Sequence, residues 1–566
     1  MMVGVGYYRR LSCAVALLIG GYFTAAAAAA AVSGDAPPAN DFGLAQVSEI
    51  NSQIRGLWSE YSIQPSSPAT EGEWCRRVYL DVLGRVPSYA ELMEYLKAKS
   101  PNKRAELVNG LLHGESFVEE YARNWTTIWT NVLIGRSGGT ERNSLTNREG
   151  MQKYLRDSFA RNKSYDRMVE ELVSATGANT PGLPKFNGAV NFLSMKLDED
   201  ATQATAVTSK VFLGLQLQCT QCHNHPFNEW KQGKFWEMNA FFRQTVALRR
   251  FTPGTRDVSY VELDNQDFGG EGGNPIEAEL YYELRNGLLK VAYPVFVNGS
   301  EIGKSGFISD VNRRGELAKM IVQSPYMQEA IVNRMWGHFL GYGFTKPVDD
   351  VGPHNPPTHP ELLQYLGEEL RSHSFDLKQL ITWITLSEAY SLSSLLNSSN
   401  AVDDPQLGES PKFSHYYLRQ MRAEELYESL LVATQAHKTK QNYEEEEKIK
   451  TEWLSQFTIA FGTDEGDEAT TFNGTIPQAL MMFNGDLIKN ATSGAQGGFL
   501  HTVATSNLSA AKKIEYLYLA GLARKPSRRE IAVANQLLLA RQGDQTAALQ
   551  DVWWAILNSN EFIINH

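Results

Sequence analysis

Tyr79-Leu80-Asp81-Val82-Leu83-Gly84-Arg85-Val86-Pro87-Ser88-Tyr89-Ala90-Glu91 returns near the other end of the chain as Tyr518-Leu519-Ala520-Gly521-Leu522-Ala523-Arg524-Lys525-Pro526-Ser527-Arg528-Arg529-Glu530. The two share Tyr, Leu, Leu, Arg, Pro, Ser and Glu at the same offsets. Each contains the Ser-x-x-Glu of a capping box, in which the serine accepts from the amide three residues on and the glutamate reaches back to the serine amide. The motif therefore predicts a helix, a turn and a second helix, twice. Each copy then leads through an apolar helix to a phenylalanine turn, Glu115-Ser116-Phe117 and Asn560-Glu561-Phe562. Two copies of one helical hairpin read as architecture rather than as a repeated binding face.

Outward from these copies the helical period continues. Leu92, Tyr95 and Leu96 share a face, as do Leu107, Leu111 and Leu112, each set spaced by three or four. The texture changes from Phe251 to Ile308. Val258-Ser-Tyr-Val-Glu-Leu263 alternates, Gly269 to Gly273 reads as a flexible turn, and Leu288 to Val297 is β-rich beside Asn286-Gly287. The chain thus reads as mainly α, two helical domains with a small β-rich insert between them. Its segments are a signal peptide over 1–31, a linker over 32–45, a helical domain over 46–248, the insert over 249–308 and a helical C-terminal domain over 309–566. The acidic run Glu444 to Glu447 reads as a solvated helix face.

Arg9 and Arg10 followed by the apolar Leu11 to Phe23 and the run Ala25 to Ala31 form an export signal, with cleavage expected near Ala31. The same stretch approaches spanning length, so retention as an anchor is the competing reading. After signal removal no segment is apolar for long enough to cross a bilayer. With 53 basic against 64 acidic residues the net charge is -11, and no basic stripe suits nucleic acid. Of four cysteines, Cys13 precedes the apolar core of the signal and is poorly placed for lipidation, and Cys75 reads as a small buried residue. There is no disulfide framework.

Attention falls on Cys219-Thr-Gln-Cys222-His223. Cys-x-x-Cys-His is the attachment sequence of c-type haem, with Cys219 and Cys222 for the thioethers and His223 for one axial position. His225 adds a donor, and the same atoms suit a zinc or iron ion completed from elsewhere. A thioredoxin-like redox pair lacks its βαβ setting, and a stapling disulfide is the remaining alternative. The motif is expected at the end of a helix over Thr202 to Gln218, with a further helix over Glu229 to Phe242. Candidates for the other axial position are Met238, His338, His354 and His359, although Met238 and His338 also read as core residues.

Asp349, Asp350, His354, His359 and Glu361 crowd together among Pro347, Pro353, Pro356, Pro357 and Pro360. That proline-held loop offers carboxylates and imidazoles for metal or acid-base work. It equally reads as a turn set before a helix over Pro360 to Glu369, begun by Thr358 or His359. A fold that carried it to Cys219 would build one site from both domains. Gly135-Arg-Ser137-Gly-Gly139 has the spacing of a nucleophile elbow without its preceding strand, so a hydrolase is rejected on that segment. Asp264 to Asp267 reads as a plain turn rather than a calcium loop.

Trp74 to Ser88 and Phe212 to Phe227 closely resemble the planctomycete-type cytochrome-like domain of unknown function (PSCyt type). Asn333-Arg-Met-Trp-Gly-His-Phe-Leu-Gly-Tyr-Gly-Phe-Thr-Lys-Pro-Val-Asp-Asp350, Asn355 to Leu363, Ser387 to Ser394, Gln478-Ala-Leu and Asn558 to Phe562 resemble its partner, the planctomycete-type C-terminal domain of unknown function (PSD type). The family usually has an acidic residue where this chain has Asn224. The resemblance implies an exported protein with a cytochrome-like motif. The expectation is a c-type-haem-like redox or electron-transfer protein, periplasmic or at the cell surface, with an extracytoplasmic redox partner. The alternatives are a non-haem metalloprotein, hydrolytic in one version, and a non-catalytic cell-surface binding or assembly protein.

Overall fold

Both copies of the repeated motif form the hairpin expected of them. The first joins the helices Glu71–Leu83 and Tyr89–Lys97, the second Ala510–Leu522 and Arg528–Ala540, and all four capping-box bonds are made. The shared arginine explains the conserved spacing between the copies. Arg85 grips Glu91 with two parallel bonds of 2.9 Å and also meets Glu120, while Arg524 grips Glu530 at 2.8 and 3.0 Å and also meets Glu561. Such fork-to-carboxylate pairs lock the turn geometry. The two copies touch: the rings of Tyr89 and Tyr516 stack with centroids 3.6 Å apart. Gly72 lies so close to Ala523 that a β-carbon would sit 2.0 Å from its carbonyl oxygen.

This computed structural model describes residues 40–440, 442–462 and 475–566. The signal segment over 1–31 and most of the linker lie outside them. The fold is mainly α, as expected, with only small sheets. No helix among the described residues is long and apolar enough to cross a membrane. One large apolar cluster gathers buried residues from Val47 to Tyr417 together with Leu519 and Ala523. A second gathers Met421 to Phe562 together with Leu80 and Val86. The packing therefore divides near residue 420, and the first hairpin contributes to both cores.

A buried ionic cluster pins the first hairpin to the C-terminus. Asp81 is fully buried and accepts from Arg419, from Asn565 at 2.9 Å and from the Tyr390 hydroxyl at 2.6 Å. Arg76 donates to the Phe562 carbonyl at 2.6 Å, and Arg77 to that of His566 at 3.1 Å. Buried charges persist only when paired in this way.

The β-rich region contains two pieces. Strand β1 (Gly177–Ala178), β2 (Thr245–Phe251) and β3 (Val258–Asn265) form an antiparallel sheet in the order β1-β3-β2. A hairpin of β4 (Leu280–Glu283) and β5 (Leu289–Ala292) turns at Asn286-Gly287, where Gly287 takes φ 81°. The helical domain was expected to run to Leu248. Instead Thr245 to Phe251 is extended, because β3 supplies a pairing partner along its whole length. The Tyr443–Phe461 helix carries the Glu444 to Glu447 run on its first, largely exposed turns.

Candidate functional site

The helix that delivers the cysteines is Thr202–Leu213, shorter than the expected Thr202 to Gln218. It stops at Gly214, which adopts φ 65°, a left-handed conformation that glycine takes without steric cost. The site is also crowded: a β-carbon there would lie 3.3 Å from Ala330 and 3.4 Å from Val351. The Gly214 carbonyl accepts the Val351 amide at 2.8 Å, so the proline-rich loop docks where the helix ends.

A 3₁₀ turn, Leu217–Gln221, follows. With three residues per turn, side chains three apart lie one above the other. Leu217 and Thr220 point inward and are fully buried, and the Thr220 hydroxyl donates to the Leu217 carbonyl at 2.6 Å. Cys219 and Cys222, spaced by the same three, both face solvent as free thiols. Cys75 is also a free thiol, buried in the first core, where burial pushes it far above the usual thiol range.

Neighbours on Gln232–Asn239 hold the segment in place; this helix is shorter than the expected Glu229 to Phe242. The Gln221 carbonyl accepts from the Trp236 indole at 3.1 Å and from the Gln232 amide group at 3.2 Å, and Gln232 also reaches the Glu283 carbonyl at 2.9 Å. Asn224 Oδ1 accepts the Gln232 backbone amide at 3.1 Å, at the first residue of that helix. A carboxylate at position 224 could accept the same bond, which gives the residue a structural role whichever side chain it carries.

The ring tautomers follow from the partners. His223 Nδ1 lies 2.6 Å from the Asn224 carbonyl, which can only accept, so Nδ1 carries the proton and Nε2 keeps the lone pair. His225 is the opposite case: the Phe227 amide donates to its Nδ1 at 3.2 Å, leaving Nε2 as the donor. The His225 and His354 rings lie with centroids 5.1 Å apart. His354 in turn donates from Nε2 to Asp350 at 3.1 Å, and its Nδ1 is buried without a partner. Burial first, then the His354 ring, lowers the His225 pKa against the opposing pull of Asp350.

The fold thus brings the proline-rich loop to the Cys-x-x-Cys-His segment. It does not bring all the other candidates there. Met238 is wholly buried in the first core. His338 packs against Trp125 at a centroid distance of 5.1 Å and donates to the Asp81 carbonyl at 3.2 Å. Desolvation, then the Arg422 and Arg419 guanidinium groups, pushes His338 down to about 3. His359 begins the Pro360–Ser372 helix as its N-cap residue, with its ring between Phe344 and Phe413. Burial pushes it down to about 4. Asp349 points elsewhere, toward Lys210 at 3.3 Å and Arg334 at 3.7 Å. Among the described residues no three His, Cys, Asp or Glu side chains cluster in a way that could hold a metal ion.

Two residues matter here that sequence reasoning passed over. Gln232 is the clasp of the cysteine segment. Asn333, fully buried, donates to Thr345 Oγ1 at 2.7 Å and the Val348 carbonyl at 2.8 Å, and accepts the Phe344 amide at 2.6 Å, so that it organises the loop before Asp349. An asparagine amid the apolar residues of a helix was the available signal, since buried amides are retained for their hydrogen bonds. The Gly135 to Gly139 segment follows the helix Val118–Ile134 with no strand before it, in keeping with rejection of a nucleophile elbow.

Comparison with protein families finds two matches. Residues 49–247 match PSCyt2, described as a protein of unknown function (DUF1549), and residues 313–538 match PSD1, likewise a protein of unknown function (DUF1553). No curated protein and no solved structure matches the chain.

Proposed function

We propose, from the premise that this chain belongs to the PSCyt2 and PSD1 families in that order, that it is an exported redox protein whose Cys219, Cys222 and His223 hold a c-type haem. The carrying observation is the geometry of the 3₁₀ turn. Both thiols stand free on its solvent side, and His223 has its Nδ1 proton committed to a carbonyl, leaving Nε2 to ligate. A ligating imidazole is ordinarily oriented by just such a bond from its other nitrogen. The residues present therefore fit the group. Attachment requires each S–H to add across one vinyl double bond, sulfur to one carbon and hydrogen to the other, with no oxidant consumed. Bound there, the haem would supply one-electron chemistry at the protein surface, within reach of an extracytoplasmic redox partner.

This chain's own part is to present and hold. Leu217 and Thr220 anchor the turn, Gln232 and Trp236 clasp the Gln221 carbonyl, and Asn224 fixes the imidazole tautomer. The test is expression with export and haem-maturation machinery, followed by intact mass and a reduced-minus-oxidised absorption spectrum. One added haem and a cytochrome spectrum are expected, with the addition lost in Cys219→Ser/Cys222→Ser and the native spectrum lost in His223→Ala. A colourless chain at its unmodified mass overturns the reading. If that colourless protein carries stoichiometric zinc or iron, His223 with the His225 and His354 pair becomes the centre to pursue.

A further inference from the structure

A cavity of about 460 Å³ lies between the helix Val118–Ile134 and the helix Pro325–Leu340 with the loop that follows it, and Gln216, just before the cysteine segment, also lines it. That is the size of a small-molecule site. One wall is a helical stripe, Trp125, Ile128, Trp129 and Val132, spaced i, i+3, i+4 and i+7. Trp125 and Trp129 are almost wholly buried against His338, Phe339 and Tyr165, while Ile128 and Val132 remain partly exposed. The other wall holds Lys210 and Arg334, both meeting Asp349, with Lys346 donating to the Pro405 carbonyl at 3.1 Å.

The cavity is pre-organised. Asn333 clamps the loop through Thr345 and Val348, and Gly343 must be glycine because a β-carbon would lie 2.6 Å from Asn333 Oδ1. Asp349, which Gln216 also meets at 3.5 Å, holds Lys210 and Arg334 at the cavity edge. His338 at the wall stays neutral and adds no charge. The indole N–H groups of Trp125 and Trp129, residues almost wholly buried, have no acceptor.

We infer that this cavity binds a small organic anion, a ring-shaped or similarly flat apolar body bearing a carboxylate, sulfate or phosphate. The ring packs against Ile128 and Val132, and the oxyanion meets Arg334 and Lys210, whose N–H donors suit such a group. This goes beyond the haem reading and stands without it, so it is tested on the full exported chain whether or not haem is attached.

Isothermal titration with benzoate, phenyl sulfate and phenyl phosphate, beside phenol and inorganic phosphate, decides it. At least one of the three aromatic anions should bind saturably and about tenfold more tightly than either control, since both walls contribute. Arg334→Gln and the cavity-filling Ile128→Trp should each weaken that binding by about tenfold, with Arg142→Gln, a surface pair to Asp257, as the unaffected control. Lys210→Gln replaces Arg334→Gln if the latter fails to fold. The preferred anion identifies the head group. Absence of saturable binding by all three, binding no tighter than the controls, or binding unchanged in both cavity variants overturns the inference.

Discussion

The two signature segments of the families handle their polar groups in opposite ways. Cys219 to His225 lies on a 3₁₀ turn and loop with its thiols in solvent, held by a few bonds from Gln232 and Trp236. Asn333 to Asp350 runs through the core, with Asn333, Thr345 and Asp349 buried and internally bonded. The difference teaches where each kind of chemistry belongs. The proposed covalent attachment needs thiols exposed to an incoming group. Non-covalent recognition needs donors fixed in advance, which only a packed surrounding provides.

Four perturbations probe that contrast, in order of expected size. Asn333→Ala removes three short bonds from a buried loop and leaves their partners unsatisfied, so urea unfolding should show a loss of about 3–5 kcal/mol; a loss below about 1 kcal/mol would mean that the loop holds itself.

The second concerns pH. His359, pushed down to about 4, and His338, pushed down to about 3, are held neutral by burial. Both take up protons near pH 6.5 when unfolded, so between pH 6.5 and about 4 the unfolded state binds more protons and stability falls as pH falls. For His359 the loss by pH 4.5 is about 2 kcal/mol. The variant His359→Leu should flatten the Tm profile between pH 7 and 4.5, and an unchanged slope would show that the His359 ring is not desolvated.

Smaller again is Gln232→Ala, which deletes the donor to the Gln221 and Glu283 carbonyls. About 1 kcal/mol is expected, with faster amide exchange in the cysteine segment as the local readout. The smallest effect belongs to Cys219→Ser/Cys222→Ser. Two exposed thiols should change the stability of the chain by no more than about 0.5 kcal/mol, even though the proposed haem attachment depends on them.

Much of this architecture was legible beforehand where the signal is local. The capping boxes at Ser88 and Ser527, the alternation of Val258 to Leu263 and the Asn286-Gly287 turn each encode their own geometry within a few residues. The helix end at Gly214 was missed because Val211 to Gln218 keeps a helix-like composition, and the stop comes from close contacts with Ala330 and Val351. The strand over Thr245 to Phe251 was missed because a strand is defined by its partner, here β3. In the candidate site, the donor types and the Cys-x-x-Cys-His spacing were readable, and so was the donor-rich proline loop. That His354 of the loop would lie beside His225 while His359 turned into an aromatic core was not readable, since neighbouring histidines in one loop carry the same local signal.

By itself the sequence determined the elements whose causes are near in the chain: helical periodicity, the twice-used capped hairpin and the Cys-x-x-Cys-His spacing. Tertiary structure alone decided which of those groups became accessible, which tautomer His223 and His225 adopt, and that the stripe from Trp125 to Val132 borders a cavity edged by Lys210 and Arg334. The physical reason is that burial, hydrogen-bond partners and local charge are properties of what surrounds a side chain, and distant parts of the chain supply those surroundings.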